Sequence, residues 1–326
     1  MLFLLKKNSY FSRILIVINV LSLPFMKKYF LLFLLFTLAF HSKAQQDPQF
    51  SQYIFNNLSF NPGSSGYEEA ICATALHRSQ WVGFEDAPVT TNLSVQSPLQ
   101  LLHGGVGLNI LTDKIGQNEF LSLNLSYAYR FDVAGGKLGI GVSVGVMQDG
   151  LDGSGIITEN PDPSIPTSTE KGSSFDLGAG LFFNSDKIYV GLSSKHINEP
   201  TITTSVDIFD VKRHYYLTAG YVHELNPKID VKPSLLVKTD GVTTTLDLTS
   251  ILEYNKKLWG GVTYRPSSRA VLLLGMHIND DLKFGFSYDV PTTNVSTSGS
   301  FEFMLGYCFK IDYNKVVKGF KNPRYL

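Results

Sequence analysis

The sequence contains little cysteine, and it has no long apolar run beyond its first 44 residues. Two cysteines in 326 residues are too few for a small fold held together by disulfides. A membrane-spanning helix needs about 20 consecutive apolar residues, and no segment after residue 44 approaches that length. Sustained helical periodicity is also lacking. These absences exclude a disulfide scaffold and a helical membrane protein.

The N-terminus has the features of a secretory signal peptide in their usual order. Within "MKKYFLLFLLFTLAFHSKAQQ", residues 26–46, a basic pair precedes an apolar run and a Ser-Lys-Ala cleavage pattern. We expect residues 1–44 to be removed, with Met26 as the true start; one uncleaved anchor is the alternative. Six of the 28 basic residues, and none of the 28 acidic ones, lie before residue 45. The mature chain is therefore acidic, which argues against nucleic acid as a partner.

Alternating apolar and polar residues dominate the rest of the chain. The segment "LKFGFSYDV", residues 282–290, places Phe284, Phe286 and Tyr288 on one face and small, polar or charged residues on the other. About fourteen segments of this kind predict strands near residues 70–80, 88–97, 103–112, 119–131, 136–148, 173–184, 186–195, 213–224, 228–239, 242–254, 257–265, 269–278, 281–290 and 301–312. Most have the length of a tilted membrane strand.

The connections between these segments alternate in length. Every second one is tight, as in "DVAGG", "NSDK" and "YNKK", whereas the long ones, near 149–172, 196–212 and 291–300, fall in the other set. Short turns on one side and long loops on the other are typical of outer-membrane barrels. We therefore predict an all-β fold, an integral outer-membrane antiparallel barrel over residues 69–312, with a soluble sandwich as the alternative. The apolar face should contact lipid and the polar face should line the lumen.

Motifs at both ends of the mature chain carry a family resemblance. "QQDPQFSQYIFNNLSFNPGSSG" follows the signal peptide, "RSQW" and "APVT" come next, and "NPRYL" ends the chain. In this order around a barrel pattern, they resemble the PorP/SprF family of the type IX secretion system in Bacteroidetes. The resemblance implies an outer-membrane protein that helps to export, or to hold at the surface, cargo with a C-terminal sorting domain. It also implies contact with periplasmic components of the secretion machinery, and in some members a part in gliding.

The segment at 45–68 lacks clean alternation and is rich in aromatic and amide side chains. We interpret it as a lead-in that packs into the periplasmic mouth or the lumen, with a frayed tail as the alternative. The tail at 313–326 is basic and is a candidate docking peptide, or simply a solvated terminus. Both termini should be periplasmic. The candidate plug or partner-binding residues in these regions and the first strand are Pro48, Gln49, Phe50, Ser51, Gln52, Tyr53, Asn61, Pro62, Arg78, Trp81, Asn322, Pro323 and Arg324.

The predicted outer loops carry apolar residues, including Ile202 and Val206. Apolar side chains on a wet rim indicate a protein-binding surface. The alternative is that they pack on one another over the mouth of the barrel.

The sequence shows no convincing catalytic or metal site. "GVSVG", residues 141–145, matches a nucleophile elbow, but it lies inside an alternating strand rather than at a strand-to-helix turn. The histidines of the mature chain have no metal-type spacing: His77, His103, His196, His214, His223 and His277. We therefore expect no enzyme activity, no cofactor and no metal.

Two further features of the barrel pattern leave room for interpretation. Inward charges of both signs favour a lumen salt-bridge network over a selectivity ring. Cys72 and Cys308 lie on the first and last strands, so they can form a disulfide only if the strand register brings them together.

The main rival function is a channel for small apolar molecules resembling the long-chain fatty acid transporters, which also combine about fourteen strands with an N-terminal hatch.

Overall fold

The computed structural model describes residues 47–156, 166–204, 208–266, 269–291 and 299–309. Helical structure within these ranges consists of short 3-10 turns at Tyr53–Phe55, Asn57–Ser59, Pro62–Ser64, Gln100–Leu102 and Gly153–Gly155. None of the helices found there has the length and apolar character that crossing a membrane requires.

Strands make up most of the described chain. In chain order they are β1 (Ile71–Ser79), β2 (Val89–Leu99), β3 (Gly104–Ile115), β4 (Asn118–Val133), β5 (Gly136–Asp152), β6 (Thr169–Asn184), β7 (Ile188–Lys195), β8 (Thr201–Thr203), β9 (Ile208–Asp210), β10 (His214–Tyr221), β11 (His223–Asn226), β12 (Ile229–Thr239), β13 (Thr244–Tyr254), β14 (Leu258–Arg265), β15 (Arg269–His277), β16 (Leu282–Pro291) and β17 (Ser300–Phe309). The predicted segments match these strands, except that β8 and β9 were missed.

The strands close into a fourteen-stranded antiparallel barrel, as predicted. Neighbours in sequence pair around the wall, β10 also pairs with β12, and β1 pairs with β17. The short strand β11 continues β10 after a break at one residue, and β8 and β9 form a separate hairpin. Closure removes the free sheet edges that a membrane strand cannot leave unpaired.

The β1–β17 pairing brings the two cysteines together. Cys72 lies directly opposite Cys308 in the register, with 4.1 Å between their Cα atoms, and the two are joined by a disulfide. The register that the sequence left open therefore allows the bridge, which links the first and last strands of the barrel.

The two faces of each strand are as the alternation predicts. On β4, Leu123 and Leu125 are exposed on the outside, while Ser122 and Asn124 between them are buried inside. On β16, Phe284 is exposed and Ser287 is fully buried. The outer surface is thus an apolar band suited to lipid, and the inner surface is polar, as in transmembrane barrels.

All the long connections start and finish at one end of the barrel. They are 80–88, 153–168, 196–213 and 292–299, and we call this end the long-loop end, although the tight connections 116–117, 240–243 and 266–268 are also there. The other end, with connections at 100–103, 134–135, 185–187, 227–228, 255–257 and 278–281, is the short-turn end. This alternation agrees with the sequence prediction.

The β8–β9 hairpin, within the 196–213 connection, overturns one expectation about the rim. Ile202 is buried, at 1% exposure, where it packs with Met147 and Val211. The expectation of an exposed Ile202 is therefore wrong, because its loop folds back over β6 and close to Gly172. Val206 lies outside the described residues.

Candidate functional site

The lumen is occupied by the chain's own N-terminal residues. We call Asp47–Glu68 the lumen segment. Its first residue contacts Lys195, at the long-loop end of β7, and Gly66 packs against Gly105, at the short-turn end of β3. The segment therefore runs the length of the barrel, inside its wall.

This path places the described ends of the chain at opposite ends of the barrel. Asp47 is at the long-loop end, whereas β17 finishes with Phe309 at the short-turn end. From the sequence, we expect both ends of the mature chain on one side of the membrane. The two described ends lie on opposite sides of the barrel instead, because the lumen segment passes through the lumen before the chain enters β1. Residues 1–46 and the predicted docking tail, with Asn322, Pro323 and Arg324, lie outside the described residues.

A buried ionic cluster holds the lumen segment near its start. The Arg78 guanidinium, 1% exposed, forms ion pairs with Asp289 and with Glu302, at 3.1 Å for the latter. Its Nη1 also donates to Ser51 Oγ at 3.1 Å. Glu302 in turn accepts the backbone N–H groups of Ser51 and Gln52, at 2.7 and 2.8 Å. A buried charge is tolerated when it is paired and hydrogen-bonded, and here the barrel's charges are satisfied partly by the segment.

The predicted lumen salt-bridge network extends to further pairs. Arg265 binds Asp247 at 2.7 Å, and Gln49 of the lumen segment donates to the same carboxylate at 3.1 Å. Lys232 binds Glu253 at 2.7 Å. The charges of both signs therefore serve internal pairing in the described lumen, which agrees with the preferred interpretation of the sequence.

Asp47 is the most heavily contacted charge on the lumen segment. One of its carboxylate oxygens, Oδ2, accepts the Tyr216 hydroxyl and lies 3.2 Å from Nζ of Lys195, while Lys238 donates to its backbone oxygen at 2.7 Å. Burial alone would raise the pKa of Asp47, but the charges of Lys195 and His196 outweigh it and hold that pKa well below its usual range. Asp47 is therefore a fixed negative charge at the long-loop end.

Aromatic contacts hold the middle of the lumen segment. The Tyr53 hydroxyl donates to Thr249 Oγ1 at 3.1 Å. Phe60 stacks on Tyr216 with 5.5 Å between ring centroids. Phe50 joins a separate apolar cluster that includes Trp259. The segment thus has its own buried core against the inner wall.

Glycines in the barrel wall form the seat for the Asn61-Pro62-Gly63 turn. A Cβ at Gly141 would lie 2.4 Å from the Pro62 carbonyl carbon, and one at Gly180 would lie 2.1 Å from Asn61 Oδ1. Asn61 also donates to the Leu181 carbonyl at 3.0 Å. The "GVSVG" pattern is therefore part of strand β5, and its first residue, Gly141, is part of this seat. Only a wall position without a side chain lets the turn come so close to the strand.

The structure separates the predicted partner-binding residues into two groups. The candidates that it brings together on or against the lumen segment are Pro48, Gln49, Phe50, Ser51, Gln52, Tyr53, Asn61, Pro62 and Arg78. Trp81 is apart from them, in the 80–88 connection at the long-loop end, and is 42% exposed. Sequence reasoning did not bring together Asp47, Asp176, His196 and His214, which meet only in the folded barrel. It had set the two histidines aside because their spacing is not of a metal-binding type.

These features define an outer-membrane β-barrel whose lumen is filled by its own N-terminal segment. The family model of the type IX secretion system membrane protein PorP/SprF matches residues 42–307. The chain belongs to this family and is a membrane component of type IX secretion.

Comparisons with curated proteins and with solved structures gave the following results. No curated protein matches the chain. Three solved barrels are similar in structure. Omp33 of Acinetobacter baumannii is 9% identical, with a TM-score of 0.46, over 75% of this chain and 100% of its own. The toluene transporter TbuX of Ralstonia pickettii is 12% identical, with a TM-score of 0.47, over 76% and 92%. The toluene transporter TodX of Pseudomonas putida is 10% identical, with a TM-score of 0.45, over 83% and 96%.

Proposed function

We propose that this barrel helps to export cargo bearing a C-terminal sorting domain, or holds that cargo at the cell surface, and does not conduct solutes. The observation that carries the proposal is the filled lumen. Ser51, Gln52, Ser64 and Ser65 of the lumen segment are all fully buried. Because the lumen segment fills the barrel, other proteins can bind only at its two rims. We therefore assign the rims a protein-binding role.

The rival function, a channel for small apolar molecules, requires the lumen segment to move. The cavity between the segment and the wall, lined in part by Phe50, Tyr53 and Leu236, has a volume of about 40 Å³. That space suits a water molecule or two. An apolar solute would have to displace buried ion pairs and hydrogen bonds, whose disruption costs several kcal/mol.

The long-loop end is the proposed cargo side, facing the exterior, because long loops face outward in outer-membrane barrels. A groove of about 380 Å³ lies there, lined by residues of the 80–88 connection and by Lys114. Trp81 and Phe84, in the same connection, are 42% and 53% exposed. Exposed aromatic side chains beside a groove are typical anchors of protein interfaces. This surface replaces Ile202 as the candidate contact for secreted cargo.

The short-turn end is the proposed side for the periplasmic components of the secretion machinery. Strand β17 ends there, and the tail at 313–326 follows it in the sequence. Its basic character suits a docking peptide, with Asn322, Pro323 and Arg324 as candidate contacts.

Comparison of surface proteomes with and without the gene tests the function. We expect cargo with a C-terminal sorting domain to leave the surface and to accumulate in the medium or the periplasm. Loss of uptake of an apolar solute, with an unchanged surface proteome, would refute the proposal in favour of the channel.

A variant with Trp81→Ala and Phe84→Ala tests the contact surface. Removing two interface anchors should cost about 2 kcal/mol or more in cargo binding, so retained cargo should fall by more than about tenfold. Leu101→Ala is the matched control, because Leu101 is 86% exposed at the short-turn end. Both proteins must show heat-modifiable gel migration, which reports a folded barrel. Equal retention by the double variant and the control would remove this surface from the proposal.

A further inference from the structure

Three side chains with metal-binding atoms meet at the long-loop end of the lumen. Asp47 comes from the lumen segment, His196 follows β7 directly, and His214 is the first residue of β10. Because His214 pairs with Lys195 in the barrel wall, the connection at 196–213 leaves and returns at the same place. All three side chains are buried, and one ligand atom from each lies within 4.8 Å of the others.

Hydrogen bonds on the far side of each imidazole set its orientation. His196 Nδ1 is 2.8 Å from Asp176 Oδ1, and His214 Nδ1 is 2.9 Å from the carbonyl oxygen of Lys212. A carbonyl or a carboxylate oxygen accepts, so each ring carries a proton on Nδ1, and Nε2 is the nitrogen left to bind a metal ion. Metal-binding histidines characteristically have such an acceptor behind the other ring nitrogen.

The two Nε2 atoms differ in their partners. His214 is 0% exposed, and within the part of the chain that the structure describes its Nε2 has no hydrogen-bond partner. His196 Nε2 lies 3.0 Å from Asp47 Oδ1, so without a metal ion it donates a proton to that oxygen, and a bound metal ion would take the place of this proton. An unpaired buried acceptor is costly. A cation placed between the three groups would satisfy all of them together.

Apart from His196 Nε2, the described neighbours of Asp47 contact atoms other than its Oδ1. The Tyr216 hydroxyl and Lys195 contact the other carboxylate oxygen, Oδ2. Lys238 donates to the backbone oxygen of Asp47 and not to its carboxylate. The carboxylate of Asp176 adds a second negative charge behind His196, which offsets the nearby ammonium groups.

We propose that Asp47 Oδ1, His196 Nε2 and His214 Nε2 bind one first-row transition-metal ion. Two imidazoles and one carboxylate match Zn²⁺ best, with water as the fourth ligand. Because Asp47 belongs to the lumen segment and the two histidines to the wall, the ion ties the start of the segment to the β7–β10 side of the barrel.

A metal titration of the full chain tests the site. The protein is purified in detergent without a histidine tag, stripped with a chelator, and titrated with Zn²⁺ against a competing chelating dye. We expect one ion per chain, and at least about tenfold weaker binding after Asp176→Asn, which removes only a support of His196. Asp47→Ala and His214→Gln, which remove ligands, should weaken binding more. The matched control is His77→Gln, because His77 is exposed and distant in the chain, with Thr91 as its partner.

The variants distinguish loss of the site from loss of the fold. Asp47→Ala alters only the lumen segment, so the barrel should keep its heat-modifiable migration even if His214→Gln does not. Added Zn²⁺ should also slow protease cleavage near the start of the segment in the wild type and the control, but not in Asp47→Ala. Zn²⁺ uptake that is equal in the wild type and Asp47→Ala, or far below one ion per chain in the wild type, would overturn the proposal.

Discussion

Replacement of Gly141 by Ala should unseat the lumen segment while leaving the barrel intact. The new Cβ would lie 2.4 Å from the Pro62 carbonyl carbon, whereas ordinary contacts begin at 3.4 Å. The segment must therefore withdraw by at least 1.0 Å, the difference between these two distances. Overpacking of this kind costs about 1–3 kcal/mol. A cost of about 2 kcal/mol would raise the unseated population roughly 30-fold.

Protease cleavage of the lumen segment and ion conductance in planar bilayers measure this population. Both should increase in the Gly141→Ala variant, and its heat-modifiable migration should persist. Gly260→Ala is the matched control, because a Cβ at that strand glycine would meet its nearest heavy atom at 3.4 Å, an ordinary contact. If the two variants show the same cleavage and conductance, the glycine seat does not determine how the segment is held.

Three further perturbations test the membrane band, the buried charges and the barrel seam. Val142→Arg, on the exposed face in the middle of β5, should destabilise the barrel by about 2–4 kcal/mol. Val242→Arg, an equally apolar position in a connection, should not destabilise it. Equal melting midpoints of the two variants would refute the assigned lipid face. Arg78→Leu removes the guanidinium that pairs with two buried carboxylates and should cost about 3–5 kcal/mol. Lys137→Leu, at an exposed ion pair, should cost at most about 1 kcal/mol. Denaturant titration in detergent compares the two variants. Reduction of the disulfide removes a link between residues 236 apart and should lower the stability by roughly 2–5 kcal/mol. An unchanged thermal midpoint in the presence of a reductant would mean that strand pairing alone holds β1 and β17 together.

The barrel was predictable because its signals are local. Alternation in a segment such as residues 282–290 depends only on neighbouring residues, and it indicates the inward and outward faces before any pairing is known. The lengths of successive connections add the two ends. The presence of a lumen segment followed from a segment without alternation, next to a lumen too wide for wall side chains to fill.

The contacts of the lumen segment were not predictable, because they join residues that are distant in sequence. Asp47 and His196 are separated by 149 positions, and neither has a motif around it that indicates the other. Ile202 was misjudged for a related reason: its apolar character does not reveal whether a loop folds back on the barrel or points into water. Local patterns therefore predicted the wall, while the occupant of the lumen and its partners depended on the closed ring.

The position of the lumen segment has a consequence for the order of folding. Ser51 and Gln52, near the start of the lumen segment, bond to Glu302 on the last strand, 251 and 250 positions away. Contacts across such separations form late, because the entropy of closing a long loop must be overcome first. The segment reaches its final hydrogen bonds only when β17 arrives to close the ring. A chain that stops before β17 would therefore lose both the β1–β17 pairing and the Glu302 partner of its lumen segment. Only a chain that includes the last strand can hold the lumen segment in place.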